Sequence, residues 1–181
     1  MSDEAPTLVW VDLEMTGLDV DSCGIIEMAV VVTGKDLEPR AELERVVWQP
    51  DEVLDRMSPF VREMHTKNGL LDKVRASKTS LADVENEALA LVSAHCKFRE
   101  GILAGNSIHV DRRFLARYMP AFERFLHYRQ VDVSTLKVLA RAWHPGRAAF
   151  EKDGKEHTAL ADIRESIAEL RHYRKAVFRD E

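Results

Sequence analysis

The chain has 181 residues, 45 % of them apolar and 31 % charged, which fits one globular domain over residues 1–181 with room for a sizeable core. A net charge of −5 argues against a protein that grips long nucleic acid through a basic surface, though not against one that handles a small anion around bound cations. The start, Met1-Ser2-Asp3-Glu4, is acidic where a secretory signal would be basic, no apolar run is long enough to span a bilayer, and the two cysteines, Cys23 and Cys96, make no disulfide framework or zinc motif, so a cytoplasmic protein with reduced thiols and no membrane partner is expected.

In chain order, residues 7–11 (TLVWV) form a short apolar run ending in Asp12-Leu13-Glu14, the pattern of a buried strand. Residues 25–33, rich in β-branched side chains, predict a second strand, and residues 43–48 a third, stopped by Gln49-Pro50. Short helices fill 51–76. Ser80 and Asp83 resemble a helix-capping start, followed by Leu81, Val84, Ala88, Val92 and Cys96 at helical spacing. A fourth strand is read at 102–105, helices at roughly 108–119 and 120–127, a fifth strand at 131–133, and a helix capped by Ser134 and running to Trp143. Residues 145–156, polar with Pro and Gly, read as a mobile loop, and a last helix starts near Thr158. Three strands and then alternating helices and strands predict an α/β domain with a mixed sheet flanked by helices.

Acids stand where the pattern asks for apolar residues. Asp12 and Glu14, two apart at the end of a strand, point to one face, so two carboxylates lie side by side next to core. Either a cation sits between them, for which hard oxygens suit Mg2+ or Mn2+, or both are solvated in the turn to Gly17. Asp111 falls inside the apolar stripe of Val110, Phe114, Leu115 and Tyr118; it either serves the helix N-terminus, where Asn106 or Ser107 is the better cap, or faces inward to a partner. Asp162 flanks the stripe of Leu160, Ile163, Ile167 and Leu170, and reads as a site acid or as a boundary acid paired with Arg164. His157, five residues earlier, meets Asp162 at one site only if it precedes the helix; it reads as a surface histidine or as a general base. Arg112, Arg113, Arg117, Arg124 and Arg129, interleaved with Tyr118, Phe122, Phe125 and Tyr128, read as a solvated face, a basic rim or a dimer surface.

Asp12-Leu13-Glu14 with Gly17-Leu18, Asn106 to Phe114 around Asp111, and His157 to Asp162 together resemble the DEDDh exonucleases, named for four acids and a histidine, and within them the bacterial oligoribonucleases. Residues 25–28, His127 to Arg129, Asp132 to Thr135 and Asp162 to Leu170 extend the resemblance over nearly the whole chain. It implies a ribonuclease-H-like fold, here a mixed five-stranded sheet. It also implies 3′→5′ hydrolysis of short single-stranded RNA of two to five nucleotides, dinucleotides especially, to nucleoside 5′-monophosphates. Two Mg2+ or Mn2+ ions are implied, one held by Asp12, Glu14 and Asp162, the second by Asp12 and Asp111, with His157 taking a proton from the attacking water. The resemblance makes Leu18 a wedge between two bases, Ser107, Arg129, Ser134 and Thr135 a cap on the 5′ phosphate, and Tyr128 a contribution from the partner subunit of a homodimer. Ser107 and Ser134 could equally serve only as helix caps. Where family members often carry tryptophan, this chain has Phe60, whose ring can still stack on a base. The same acids serve DNA-proofreading exonucleases, and a non-catalytic RNA-binding module on this scaffold is a third reading.

Overall fold

A computed structural model describes residues 6–150 and 158–178. His157, and all of the expected 145–156 loop beyond Phe150, lie outside the described residues.

Five strands form one mixed sheet in the order β3-β2-β1-β4-β5. β1 (Leu8–Met15) runs antiparallel to β2 (Ile25–Thr33) and parallel to β4 (Ile102–Gly105); β2 is antiparallel to β3 (Pro39–Val46), and β4 is parallel to β5 (Gln130–Asp132). β1 runs through Asp12 and Glu14, which end the strand as expected and pair with Ala29 and Glu27. β3 lies at 39–46, earlier than the 43–48 read from apolar content, because an edge strand that pairs on one side keeps its polar residues in water and carries little apolar signal.

Alternation along β1 sorts the molecule. Val9, Val11 and Leu13 enter one core with α4 (Leu81–Ser93), α5 (His109–Tyr118) and α6 (Pro120–Phe125). Leu8 and Trp10 enter the other, against α7 (Val133–Trp143) and α8 (Ala159–Ala176). β2 is buried along its whole length because both faces are covered. The short helices α1 (Asp51–Leu54), α2 (Pro59–Lys67) and α3 (Leu70–Ala76) close a third small cluster around Ile26. No helix among the described residues is long and apolar enough to cross a membrane.

The Ser80–Asp83 capping box is present in full. The other two expected caps are not. α7 is capped by Asp132, whose carboxylate accepts the Ser134 N–H at 2.9 Å, so Ser134 is not the cap. α5 begins after Ile108 with no side-chain cap, since Asn106 and Ser107 spend their polar groups elsewhere. Both cysteines are free.

Candidate active site

Asp12 and Glu14 continue the even-numbered face of β1, the face that α8 covers, and Asp162 lies in the first turn of α8. The three present carboxylate oxygens within 4.8 Å of one another. Asp111 stands outside this trio. Its helix packs against the opposite face of the sheet, but its charge acts on Asp12, and its Oδ1 accepts the Leu13 N–H at 3.0 Å. It is buried, inside the apolar stripe as its spacing implies. Arg164 does not pair with Asp162; it bonds Glu42 at 2.8 Å.

Sequence reasoning missed the device that sets α8 on the sheet. Glu27, buried on β2 directly across from Glu14, accepts the Ala159 N–H at 3.1 Å. Glu44 of β3 accepts the Leu160 N–H at 3.3 Å, and the Thr158 hydroxyl accepts that of Ala161 at 3.3 Å. Donors left unpaired at a helix start are thus matched by acids from two strands, where the helix dipole favours negative charge. A helix start held this way puts Asp162 beside Asp12 and Glu14.

The cluster is electrostatically loaded. Burial raises the Asp12 carboxyl well above its ordinary value, and Asp111, Asp162, Glu14 and Glu27 add repulsion. Burial, then Asp162, Glu27 and Asp111, push Glu14 up to about 7. Burial also raises Asp111 to about 7, opposed by the Leu13 N–H, and raises Glu27, opposed by the Ala159 N–H. Half-buried hard oxygens that repel one another fit a divalent cation, which would restore their ionised forms.

Around the acids, Thr16 and Gly24 close a loop by two mutual bonds of 2.9 Å, and the Tyr118 hydroxyl donates to Val20 O at 2.7 Å. A Cβ at Gly17 would lie 2.7 Å from Cys23 Sγ, so a larger residue there would have to displace the Cys23 side chain. This braced loop presents Leu18, 69 % exposed. Phe60 is exposed on α2. His65, one turn further, is fully buried, and burial lowers its pKa. Its Nε2 donates to Met15 O at 3.1 Å and lies 4.0 Å from Glu14. Its Nδ1 has no hydrogen-bond partner among the described residues.

A second group forms where β4 and β5 end. Ser107, at φ 50°, gives its N–H to Asp132 Oδ1 at 3.0 Å and Ser134 Oγ at 3.1 Å, with the two serine hydroxyls 3.3 Å apart. Thr135 is exposed beside them on α7. Tyr128 is 68 % exposed, stacked on His127 at 4.5 Å, with the Arg129 guanidinium 5.2 Å above its ring. Arg112 is not a rim residue. It bonds Glu123 and the carbonyls of His127, Tyr128 and Arg129, clamping the loop that presents both side chains. Arg117 lies over the Tyr118 ring, and Arg124 bonds Pro120 O.

Beneath this group runs a buried network that sequence reasoning also missed. Glu169 accepts from Lys137 at 2.8 Å and Tyr173 at 2.9 Å on one oxygen, and from Asn106 at 3.2 Å on the other. Burial opposes its charge, yet these hydrogen bonds and the Lys137 charge together hold its carboxyl below the ordinary value. The α8 buried face is therefore more polar than its apolar stripe suggested, with Ser166 and Glu169 inside and Leu160 and Leu170 only half-buried.

Comparison with known proteins gives a consistent picture. A family model described as Exonuclease matches residues 9–170. The chain is 52 % identical over 176 residues to an oligoribonuclease of Aromatoleum aromaticum and 51 % over 175 residues to one of Thiobacillus denitrificans, covering 96 % of both chains in each case. It is 49 % identical to an oligoribonuclease of Francisella tularensis, over 94 % of this chain and 96 % of that one. Among solved structures, exonuclease I of Methylocaldum szegediense aligns with a TM-score of 0.72 at 19 % identity, over 95 % of this chain and 41 % of that one. Exonuclease I of E. coli, in complex with a 5cy-dT13 oligonucleotide, aligns with a TM-score of 0.74 at 15 % identity, over 96 % and 42 %. The chain thus spans about two fifths of the length of the exonuclease I chains, a likeness of fold.

Proposed function

The chain belongs to the exonuclease family and, within it, to the oligoribonucleases, and from that premise we propose that its substrates are single-stranded RNAs of two to five nucleotides, dinucleotides above all. It is a 3′→5′ exoribonuclease. The observation that supports the cleavage chemistry is the convergence of Asp12, Glu14 and Asp162 from two elements far apart in sequence, and the one that supports short substrates is the joining of Ser107 to Ser134 beside Arg129 and Thr135.

Asp12, Glu14 and Asp162 would hold one divalent cation, Mg2+ or Mn2+, and Asp12 with Asp111 a second. Bound there, the cations supply Lewis-acid stabilisation of the charge that develops on the phosphate. In this reading His157 takes a proton from the water that attacks the phosphorus of the 3′-terminal linkage. The bond from phosphorus to the preceding nucleotide's 3′ oxygen breaks, that oxygen takes a proton from solvent to become the 3′ hydroxyl of the shortened RNA, and the 3′-terminal nucleoside 5′-monophosphate leaves. Leu18 separates the two bases and Phe60 offers a stacking face; their exposure on braced elements supports these roles. Ser107, Arg129, Ser134 and Thr135 close on the 5′ phosphate, where a planar guanidinium suits the anion and a closed pocket rejects longer 5′ extensions.

The active form in this reading is a cytoplasmic homodimer, each chain a single exonuclease domain over residues 1–181. Tyr128, exposed on a clamped loop, reaches the neighbouring subunit's site. Free Cys23 and Cys96 suit a reducing compartment.

The test is product analysis on 5′-labelled RNAs of two to seven nucleotides, with wild type and Asp12→Ala. Dinucleotides should be cleaved fastest, chelator should stop the reaction, Mg2+ or Mn2+ should restore it, and Asp12→Ala should be inert. Equal rates on two- and seven-nucleotide RNAs would remove the short-substrate claim.

A further inference from the structure

The buried network under Ser107 and Ser134 has a direction. Glu169, held ionised by Lys137 and Tyr173, can only accept, so it fixes which end of the Asn106 amide faces it. The NH2 group turns to Glu169 at 3.2 Å and to Ser166 Oγ at 2.8 Å. Asn106 Oδ1 is left facing Ser134, whose hydroxyl donates to it at 2.9 Å. Ser134 has one proton and that bond uses it. Its oxygen can then only accept, from the Ser107 N–H at 3.1 Å and from the Ser107 hydroxyl at 3.3 Å. The backbone N–H groups of Ser107 and Ser134 are both taken by Asp132 Oδ1, at 3.0 and 2.9 Å. Of the two serines, only Ser107 keeps a proton that can swing to an incoming anion without breaking a bond to Asn106.

We propose that Asn106 is a positioning residue, oriented by buried Glu169, and that it makes Ser107 rather than Ser134 the serine that donates to the 5′ phosphate of the substrate. The inference rests on the phosphate-pocket reading above. Ser134 is then a support: it receives Ser107 and holds it in place. The Asn106 amide also touches Ser166, whose hydroxyl donates to Asp162 O at 2.9 Å, so one side chain spans the phosphate pocket and the turn that carries Asp162.

The experiment is the ratio of kcat/KM for a dinucleotide bearing a 5′ phosphate to that for the same dinucleotide without one. Wild type, Arg129→Ala, Ser107→Ala and Ser134→Ala are compared, and both serine changes are repeated in Asn106→Ala. Wild type should prefer the phosphorylated substrate. Arg129→Ala and Ser107→Ala should each lower that preference about tenfold, the scale of one hydrogen bond to a charged group, and Ser134→Ala by less than about threefold. In Asn106→Ala the Ser134 proton is released, so Ser134→Ala should become as costly as Ser107→Ala. Merely structural damage would lower activity on both substrates and would not exchange the two serines. If Asn106→Ala fails to fold, Glu169→Gln serves instead, because a carboxamide can accept either end of the Asn106 amide; the comparison of serines in the wild-type background stands in any case. A wild-type enzyme indifferent to the 5′ phosphate overturns the pocket reading and this inference with it. A preference lost in Arg129→Ala but lowered equally by both serine changes, or more by Ser134→Ala, overturns this inference alone.

Discussion

Glu14 and Glu27 face each other across the β1–β2 ladder, two acids on one face of the sheet. Like charges directly opposite normally destabilise a strand pair. Here they have different tasks. Glu27 accepts the Ala159 N–H and anchors α8, while Glu14 joins Asp12 and Asp162.

Glu27→Ala is expected to act through Asp162. With the α8 start loosened, kcat should fall about tenfold, and more divalent cation should be needed for half-maximal rate, while KM for a dinucleotide changes little. Cation titration of the rate checks this; an unchanged requirement would reduce Glu27 to a fold residue.

Asp12→Asn should separate activity from stability. Activity should drop by about 10³-fold or more, since several kcal/mol of transition-state stabilisation depend on the cations it helps to hold. The cation-free protein should nevertheless melt at a higher temperature than wild type, because one member of a repelling, desolvated group is gone. A lower melting temperature would mean that Asp12 supports the fold in ways the electrostatics do not show.

Glu14 and Asp111, both pushed up to about 7, bind protons in the folded protein that the unfolded chain has released. The folded state therefore holds more protons between the ordinary carboxyl range and pH 7, and stability falls as pH rises through that window. The cation-free melting temperature should decline from about pH 5 to pH 8, and Mg2+ or Mn2+ should raise it more at pH 8 than at pH 5. Thermal melts over this range decide the matter; a rising melting temperature without cation would contradict the assignment.

His157→Ala should keep cation and dinucleotide binding and lose turnover by about 10²-fold or more. Binding measured by titration, beside single-turnover rates, separates the two. Full turnover would assign the base role elsewhere.

Arg112→Met removes the clamp on the carbonyls of residues 127–129. KM should rise about tenfold, as two presented side chains lose their fixed geometry, and sedimentation should show a weaker dimer. An unchanged KM would mean the loop holds its shape without the guanidinium.

Strand alternation made Asp12 and Glu14 legible as a pair on one face, whereas Asp162, on the flank of its apolar stripe, read equally as a boundary acid and was tied to them only by the family resemblance. Pattern could not say which face of the sheet each helix covers, so the Leu13 N–H that holds Asp111 near Asp12 was hidden. Glu169 was hidden for another reason. A glutamate near the end of a helix reads as solvated, and its partners Asn106 and Lys137 are distant in sequence and carry no local signal. The same holds for Glu27, recognisable only once β2 lies beside β1 and α8 begins above it. Asp132 displaced Ser134 as the cap because both are good candidates and only the neighbouring Ser107 N–H, which needs the same carboxylate, favours one. Arg112 looked like surface charge because nothing in a sequence announces three consecutive carbonyls waiting for a donor.

Alternation along β1 ties chemistry to folding in one register. The odd-numbered side chains from Val9 to Leu13 fill one core, and the even-numbered ones pass from Leu8 and Trp10 straight into Asp12 and Glu14. Deleting a single residue from the strand's first half would drive two carboxylates into hydrocarbon and turn Leu13 toward Asp162. Such a frame error could not yield a folded but inactive protein; selection for a sound interior therefore also guards the spacing of the acids.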